Sequence, residues 1–287
     1  MYYRYSEEEL RAICRTSLET FEIWARRLIH EKMVEKYGET YIDKRFQDGN
    51  YLVRREVREH VHKMKEKEPE RFKRAVDTLF MEHIIYFLCN PDFFKNVFEC
   101  ALRYSYPQGR EEAREFMERL VDIRNALSHS NPISMRQAEK AICYSNDFID
   151  GIKKYQEERG QDKVWNVPRI IKVTDSLGNV FENPIDGNGV GAIFMVSQNL
   201  YCGDTYSINI EIDASFDEAE YDVKWLHNEQ ELQENRNRKQ YVIKFSEKDV
   251  SENYFITCRT ISNKVWHKYE LFDCQISLCL KVYPLKE

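Results

Sequence analysis

A chain of 287 residues with 43 basic and 49 acidic side chains carries a formal net charge of -6, which argues against a protein that coats nucleic acid through bulk charge, although a local basic site stays open. At 32% charged and 13% aromatic residues it is unlike a disordered chain, and by the usual domain size of ~100–200 residues it is long enough for two cores. No stretch approaches the ~20 apolar residues of a membrane span, and "MYYRYSEEEL" turns acidic where a secretory signal would turn apolar. A cytoplasmic protein without membrane partners is expected. The eight cysteines (14, 89, 100, 143, 202, 258, 274, 279) form no C-x-x-C pair and read as buried thiols of a reducing compartment rather than as a metal site.

From Ser6 onward charged and apolar residues recur at spacings of three and four. The first helix starts at "SEEE", where Ser6 caps and Glu9 completes a capping box, and turns Leu10, Ile13, Leu18, Phe21, Trp24 and Leu28 inward until Gly38. "RREVREHVHKMKEKEPERFKRAVDTLFMEHIIYFLCN" predicts a charged, solvated helix, a break at Pro69 and a helix growing apolar toward Cys89. "NPDFF" opens another with Asn90 or Asp92 as cap, and "GREEAREFMERLVDIRNALSH" a long one with acidic residues early. Pro132 disfavours helix at Asn131, after which Ser134 and Gln137 box the start of a final helix. The expected architecture for residues 1–158 is an all-α bundle.

Past a linker placed at 159–168, the pattern changes to β-rich runs separated by turn residues: "RIIKVTD", "AIFMV", "YSINIEID", "YDVKWLH", "QYVIKFS", "YFITCRTI" and "ELFDCQISLCLKVYPL". Such spacing predicts an antiparallel sandwich over 169–287. "GNGVG" (187–191) precedes a strand rather than a helix and reads as a hairpin turn. "ENRNRK" (234–239) reads as a solvated basic tip.

The chemistry concentrates in Arg124-Asn125-Ala126-Leu127-Ser128-His129. Spacing alone decides little, because Arg55 and His60 repeat it in "RREVREH", where alternating charge predicts a solvated helix. Wound at 100° per residue, Phe116, Leu120, Ile123 and Leu127 form a core stripe, with Arg124 about 60° from its centre and Asn125 and His129 about 160° and 200° round. Met117 and Val121 lie near Arg124, so the surface beside it is expected to be partly apolar and to meet a second copy of the chain. His129 falls in the last turn, where the helix's negative end favours imidazolium. A histidine there can take a proton from a ribose 2′-hydroxyl or return one to a leaving 5′-oxygen, while a guanidinium stabilises the charge growing on phosphorus. An arginine and a histidine ~140° apart on one helix cannot easily face one phosphate, whereas two helices related by a two-fold can.

Arg124-Asn125 followed by His129, late in a helix of an all-α bundle with one more long helix after it, resembles the R-x(4–6)-H motif of the HEPN superfamily. The resemblance spans about residues 1–158. It implies a metal-independent endoribonuclease that forms 2′,3′-cyclic phosphates, acts as a homodimer on RNA with a composite site, needs no cofactor, and belongs to a toxin or antiviral-defence system. It also implies Arg124 and His129 as catalytic, with Asn125 orienting the phosphate. Ser128, His83 and Glu82 are accessory candidates, although a core histidine satisfied by its neighbours is the ordinary reading of His83. A non-catalytic recognition or scaffold protein, or an ion- or nucleotide-binding sensor using the same groove, is the alternative. In the second half, Trp225 and Cys258 resemble the C-strand tryptophan and F-strand cysteine of immunoglobulin-like folds. "YSINIEID" offers no partner cysteine and Tyr254 stands four residues before Cys258 rather than two, so the likeness is one of architecture, without a disulfide, and implies binding of a partner or trigger.

Overall fold

A computed structural model of the chain describes residues 5–69, 71–182, 193–228, 230–232 and 237–285. The chain divides into two compact units, Met1–Arg159 and Gly160–Glu287, the first helical and the second built on two sheets.

The helical unit is organised around α1 (Glu7–Tyr37). Its capping box forms as the sequence predicts: the Glu9 amide donates to Ser6 Oγ at 3.3 Å and the Ser6 amide to Glu9 Oε2 at 2.7 Å, and the Ser6 amide, then the Ser6 hydroxyl, donating to that carboxylate hold it below its ordinary value. Gly38, at φ 86°, ends the helix in a backbone region that a side chain would resist. Leu10, Leu18, Phe21, Trp24, Leu28 and Met33 are buried, each such side chain being worth ~1.5–3 kcal/mol. Phe21 meets Phe148 of α7 (Met135–Glu158), ring centroids 4.6 Å apart.

Helix α2 (Arg55–Lys67) does not simply face water, because Val57 and Val61 are fully buried. The helix expected between Pro69 and Cys89 is shorter than its pattern suggests. Arg74 and Asp77 bond each other across a single turn of 3-10 helix (Ala75–Thr78), and only Met81–Cys89 (α3) is α-helical. Asn90 then caps α4 (Pro91–Phe93) by accepting from the amides of Asp92 and Phe93. A π turn over Phe94–Phe98 leads into α5 (Glu99–Leu102). Helix α6 (Arg110–Ser128) follows, and the chain breaks at Pro132 before α7, whose start Ser134 and Gln137 box as expected.

The second unit begins earlier than the sequence suggests. Residues 162–168, expected within a linker, pack onto the sheets: α8 (Asp162–Trp165) buries Trp165, Val167 is buried, and the Pro168 carbonyl accepts from Thr260 Oγ1 at 2.7 Å. One sheet has the order β2 (Val180–Glu182), β1 (Ile170–Asp175), β4 (Thr205–Ile212), β7 (Gln240–Lys244). The other has the order β3 (Ile193–Tyr201), β9 (Cys274–Tyr283), β8 (Ser251–Ser262), β5 (Tyr221–His227), β6 (Gln230–Glu231). The pairing is antiparallel except between β3 and β9, which run parallel; alternation of apolar residues cannot distinguish the two directions. The sheets touch through Trp225 stacked on Tyr241 at 5.3 Å and Phe245 edge-on to Tyr254 at 5.4 Å.

Candidate functional site

The buried face of α6 is rotated from the one its sequence suggests. Ala113, Met117, Leu120, Ile123 and Leu127 are buried, while Phe116 is only half-buried, packed edge-on against Tyr144. Met117, expected at a dimer surface, is 0% exposed, and its sulfur accepts from the Cys89 thiol at 3.9 Å. A thioether reads on a helical wheel as core or interface alike, so neighbouring helices decide. Val121, half-buried, stays at the margin. The rotation brings Arg124 to about 40° from the centre of the buried stripe, close to a core position, and leaves His129 about 180° from it.

What permits a guanidinium there is a charged stripe on α1, the helix that packs against α6. Residues 11, 15, 19, 22 and 26 recur every three or four positions and so share one face. Arg26 donates to the Leu79 carbonyl at 2.7 Å and also to the Glu22 carboxylate. Glu22, its side chain 14% exposed, lies 3.9 Å from the Arg124 Nε, whose own side chain is 33% exposed. Between the two helices opens a cleft of about 320 Å³ lined by Arg15, Leu18, Glu19, Glu22, Arg124, Leu127, Ser128 and Ser130. Leu18 and Leu127 give it an apolar floor, and among the described residues nothing pairs with the Arg15 guanidinium. The sequence signal for this face was available as charges at helical spacing within an apolar-periodic helix.

The last turn of α6 is fixed from two sides. The Asn131 amide donates to the Ala126 carbonyl at 2.9 Å and the Ser130 amide to the Leu127 carbonyl at 3.2 Å. This double closure puts Ser130 in the left-handed region, φ 56°, where glycine is the usual occupant. Arg11 of α1 donates to the carbonyls of Leu127, at 3.2 Å, and Asn131. A fixed guanidinium thus already answers the helix's negative end, which the sequence reading reserved for the His129 imidazole. Ser128 Oγ donates to the Arg124 carbonyl at 3.0 Å and borders the cleft. Asn125 is half-buried and His129 exposed, and neither lines the cleft. Within the single chain the cleft therefore gathers Arg124 and Ser128 of the predicted residues, adds Arg15, Glu19, Glu22 and Ser130, and leaves out His129.

His83 and Glu82 do not line the cleft either. The His83 Nδ1 accepts from the Phe80 amide at 3.3 Å and its ring lies 4.6 Å from that of His60. Burial first, then the neighbouring His60 and Arg54, push its pKa down. The second Arg-x4-His copy is split: Arg55, 80% exposed, pairs with Glu59, whereas His60 is half-buried against Phe80 and donates from Nε2 to the Thr78 carbonyl at 2.7 Å. His60 is therefore not the solvated residue its charged neighbours suggest.

All eight cysteines are free. Burial pushes the Cys89 thiol up to about 12 and Cys274 to about 11, although Cys100 and Cys143 are exposed. Among the described residues no group of three or more His, Cys, Asp or Glu side chains is arranged to hold a metal ion, and no helix is long and apolar enough to cross a membrane. In the second unit Trp225 is fully buried, donates from Nε1 to the Arg238 carbonyl at 2.8 Å and faces Cys258 across the β5–β8 ladder. The turn at 187–191 and residues 234–236 of the basic tip lie outside the described residues.

Comparison with protein families, with characterised proteins and with solved structures finds no match for this chain.

Proposed function

We propose that the helical unit is a HEPN-type, metal-independent endoribonuclease that acts as a homodimer. The observation that carries this reading is the placement of Arg124: a cation close to a core position of α6, held by Glu22 at the wall of a polar cleft, with hydroxyls of Ser128 and Ser130 beside it. A guanidinium so held can stabilise a pentacoordinate phosphate without rearranging. His129, exposed on the far side of the same helix end, serves as the general base and acid that removes the 2′-hydroxyl proton and protonates the leaving 5′-oxygen, leaving a 2′,3′-cyclic phosphate. Because His129 faces away from its own Arg124, the working site combines Arg124 of one protomer with His129 of the other, Asn125 orienting the phosphate. Val121 is the one remaining flank residue that the contact between copies can use. A toxin or antiviral-defence effector is the setting this reading favours.

For the second unit we propose an immunoglobulin-like sandwich that binds a trigger or partner. The two-sheet strand order, with β3 parallel to β9 and Trp225 at the centre of the core, supports it.

The test is cleavage of single-stranded RNA by the purified full chain in EDTA, with product ends analysed. Loss of cleavage in His129→Ala, with secondary structure and oligomeric state kept, supports the reading. Equal behaviour of wild type and His129→Ala over a broad substrate panel refutes it. Mixing inactive His129→Ala with inactive Arg124→Ala should restore part of the activity if the site is shared between protomers. One observation favours a second reading, a non-catalytic site for RNA or a nucleotide: the cleft that holds Arg124 has no histidine in its lining and is complete within a single copy of the chain.

A further inference from the structure

The α1–α6 cleft has a charge pattern that a bare anion does not match. Arg15 and Arg124 face it, but so do the carboxylates of Glu19 and Glu22. Glu22 is bonded to Arg26 and lies beside Arg124, so its acceptor capacity is largely used within the protein. Glu19 sits one helical turn from Arg15 on the exposed side of α1, at the cleft mouth. A bare anion in the cleft would meet Glu19 as a like charge and offer it nothing, whereas a ligand that carries an anion and, a few ångströms away, a hydroxyl donor satisfies both arginines and Glu19 together. A ribonucleotide unit has that pattern, with its phosphate and ribose hydroxyls, over a floor of Leu18 and Leu127 suited to the sugar's carbon face.

We infer that this cleft is a ribonucleotide subsite in which Arg15 and Arg124 clamp the phosphate and Glu19 accepts a hydrogen bond from the ribose 2′-hydroxyl. Arg15 is the new binding residue: a guanidinium with no partner among the described residues, aimed into the same space as Arg124. The hydroxyls of Ser128 and Ser130 border the same space and can donate to phosphate oxygens. Glu19 is the residue that distinguishes RNA from DNA, because only a ribose offers it a proton; its carboxylate can accept from more than one donor at once, so the contacts it already makes do not preclude this. The inference rests on Arg124 facing phosphate, as in the proposed function, but it requires no cleavage.

The experiment measures fluorescence anisotropy of a short labelled oligoribonucleotide, and of its deoxyribose counterpart, with the full chain carrying His129→Ala so that cleavage does not consume the probe. Arg15→Ala is expected to weaken binding of both probes by about tenfold or more, with Arg15→Lys recovering part of it. Glu19→Gln is expected to weaken the RNA probe alone and to remove the preference for RNA over DNA. Inorganic phosphate should compete far more weakly than a nucleoside 3′-monophosphate. Both side chains are exposed, so thermal melting should not move, which separates lost binding from lost folding. Unchanged binding in Arg15→Ala overturns the clamp, and a Glu19→Gln effect equal on both probes overturns the assignment of the 2′-hydroxyl. If RNA binds through Arg15 but wild type cleaves no RNA, the subsite stands and the ribonuclease falls. If wild type cleaves RNA with the same KM as Arg15→Ala, the ribonuclease stands and the subsite falls.

Discussion

Two segments of the helical unit carry an arginine and a histidine with four residues between them, and their surroundings differ at both ends of the spacing. At 124–129 the arginine is held inward by Glu22 while the histidine is exposed at a helix end. At 55–60 the arginine lies in solvent beside Glu59, and the histidine is wedged between Phe80 and His83. The first arrangement supplies a fixed cation and an accessible proton carrier. The second supplies neither, since its cation is solvent-exposed and paired with Glu59 and its imidazole is spent on the Thr78 carbonyl. A motif of this kind has chemical meaning only through what holds each member.

The largest expected contrast is catalytic. His129→Ala should lower RNA cleavage by ~100-fold or more, in keeping with loss of a general acid–base, whereas Arg55→Ala should leave the rate unchanged; equal effects of the two would erase the distinction between the segments. Next comes the support of Arg124. Glu22→Gln keeps the shape of the side chain but removes its charge, and should lower kcat by about tenfold with little change in KM. A rise in KM alone would assign Glu22 to substrate binding instead.

The pH dependence separates the segments differently. The folded pKa of His83 lies below its ordinary 6.5, through burial and then His60 and Arg54, and that of His30 lies below the same value through burial and then Arg74. As pH falls below about 6.5 the unfolded chain takes up protons that the folded chain refuses, so stability should be full above that pH and decline below it. Thermal melts across pH 7.5 to 5 check this, and His83→Gln should flatten part of the decline. The smallest effect concerns the turn after α6. Ser130→Gly relieves a left-handed residue, partly offset by the extra entropy glycine gives the unfolded chain, and should stabilise by ~0.5–1 kcal/mol in a denaturant titration.

Much of the fold was legible because local chemistry dictates it. Ser6 with Glu9, Ser134 with Gln137, Asn90 before Pro91 and the halt at Pro132 are short-range signals, and the structure uses each of them. Most strands past Ile170 fall on the β-rich runs for the same reason. What was misjudged depends on contacts distant in sequence. Phe116 and Met117 are adjacent and apolar, and only the packing around Cys89 and Tyr144 decides which is buried. Trp165 and Val167 resemble linker residues until Thr260 bonds the carbonyl beside them. Of the candidate site, Arg124 and the helix end at His129 could be named from one segment, but Arg15, Glu22 and the Arg11 clasp lie more than a hundred residues upstream and join it only through the fold.

The sharing of Glu22 has a mechanical consequence. Its carboxylate is moored to Arg26, which is itself moored to the Leu79 carbonyl. Glu22 therefore keeps a counter-charge in Arg26 whatever Arg124 contacts in the cleft, and is not stranded in a half-buried place. The arginine that anchors Glu22 and the arginine that borders the cleft are different residues, so charge drawn from Arg124 by a ligand does not loosen the anchor.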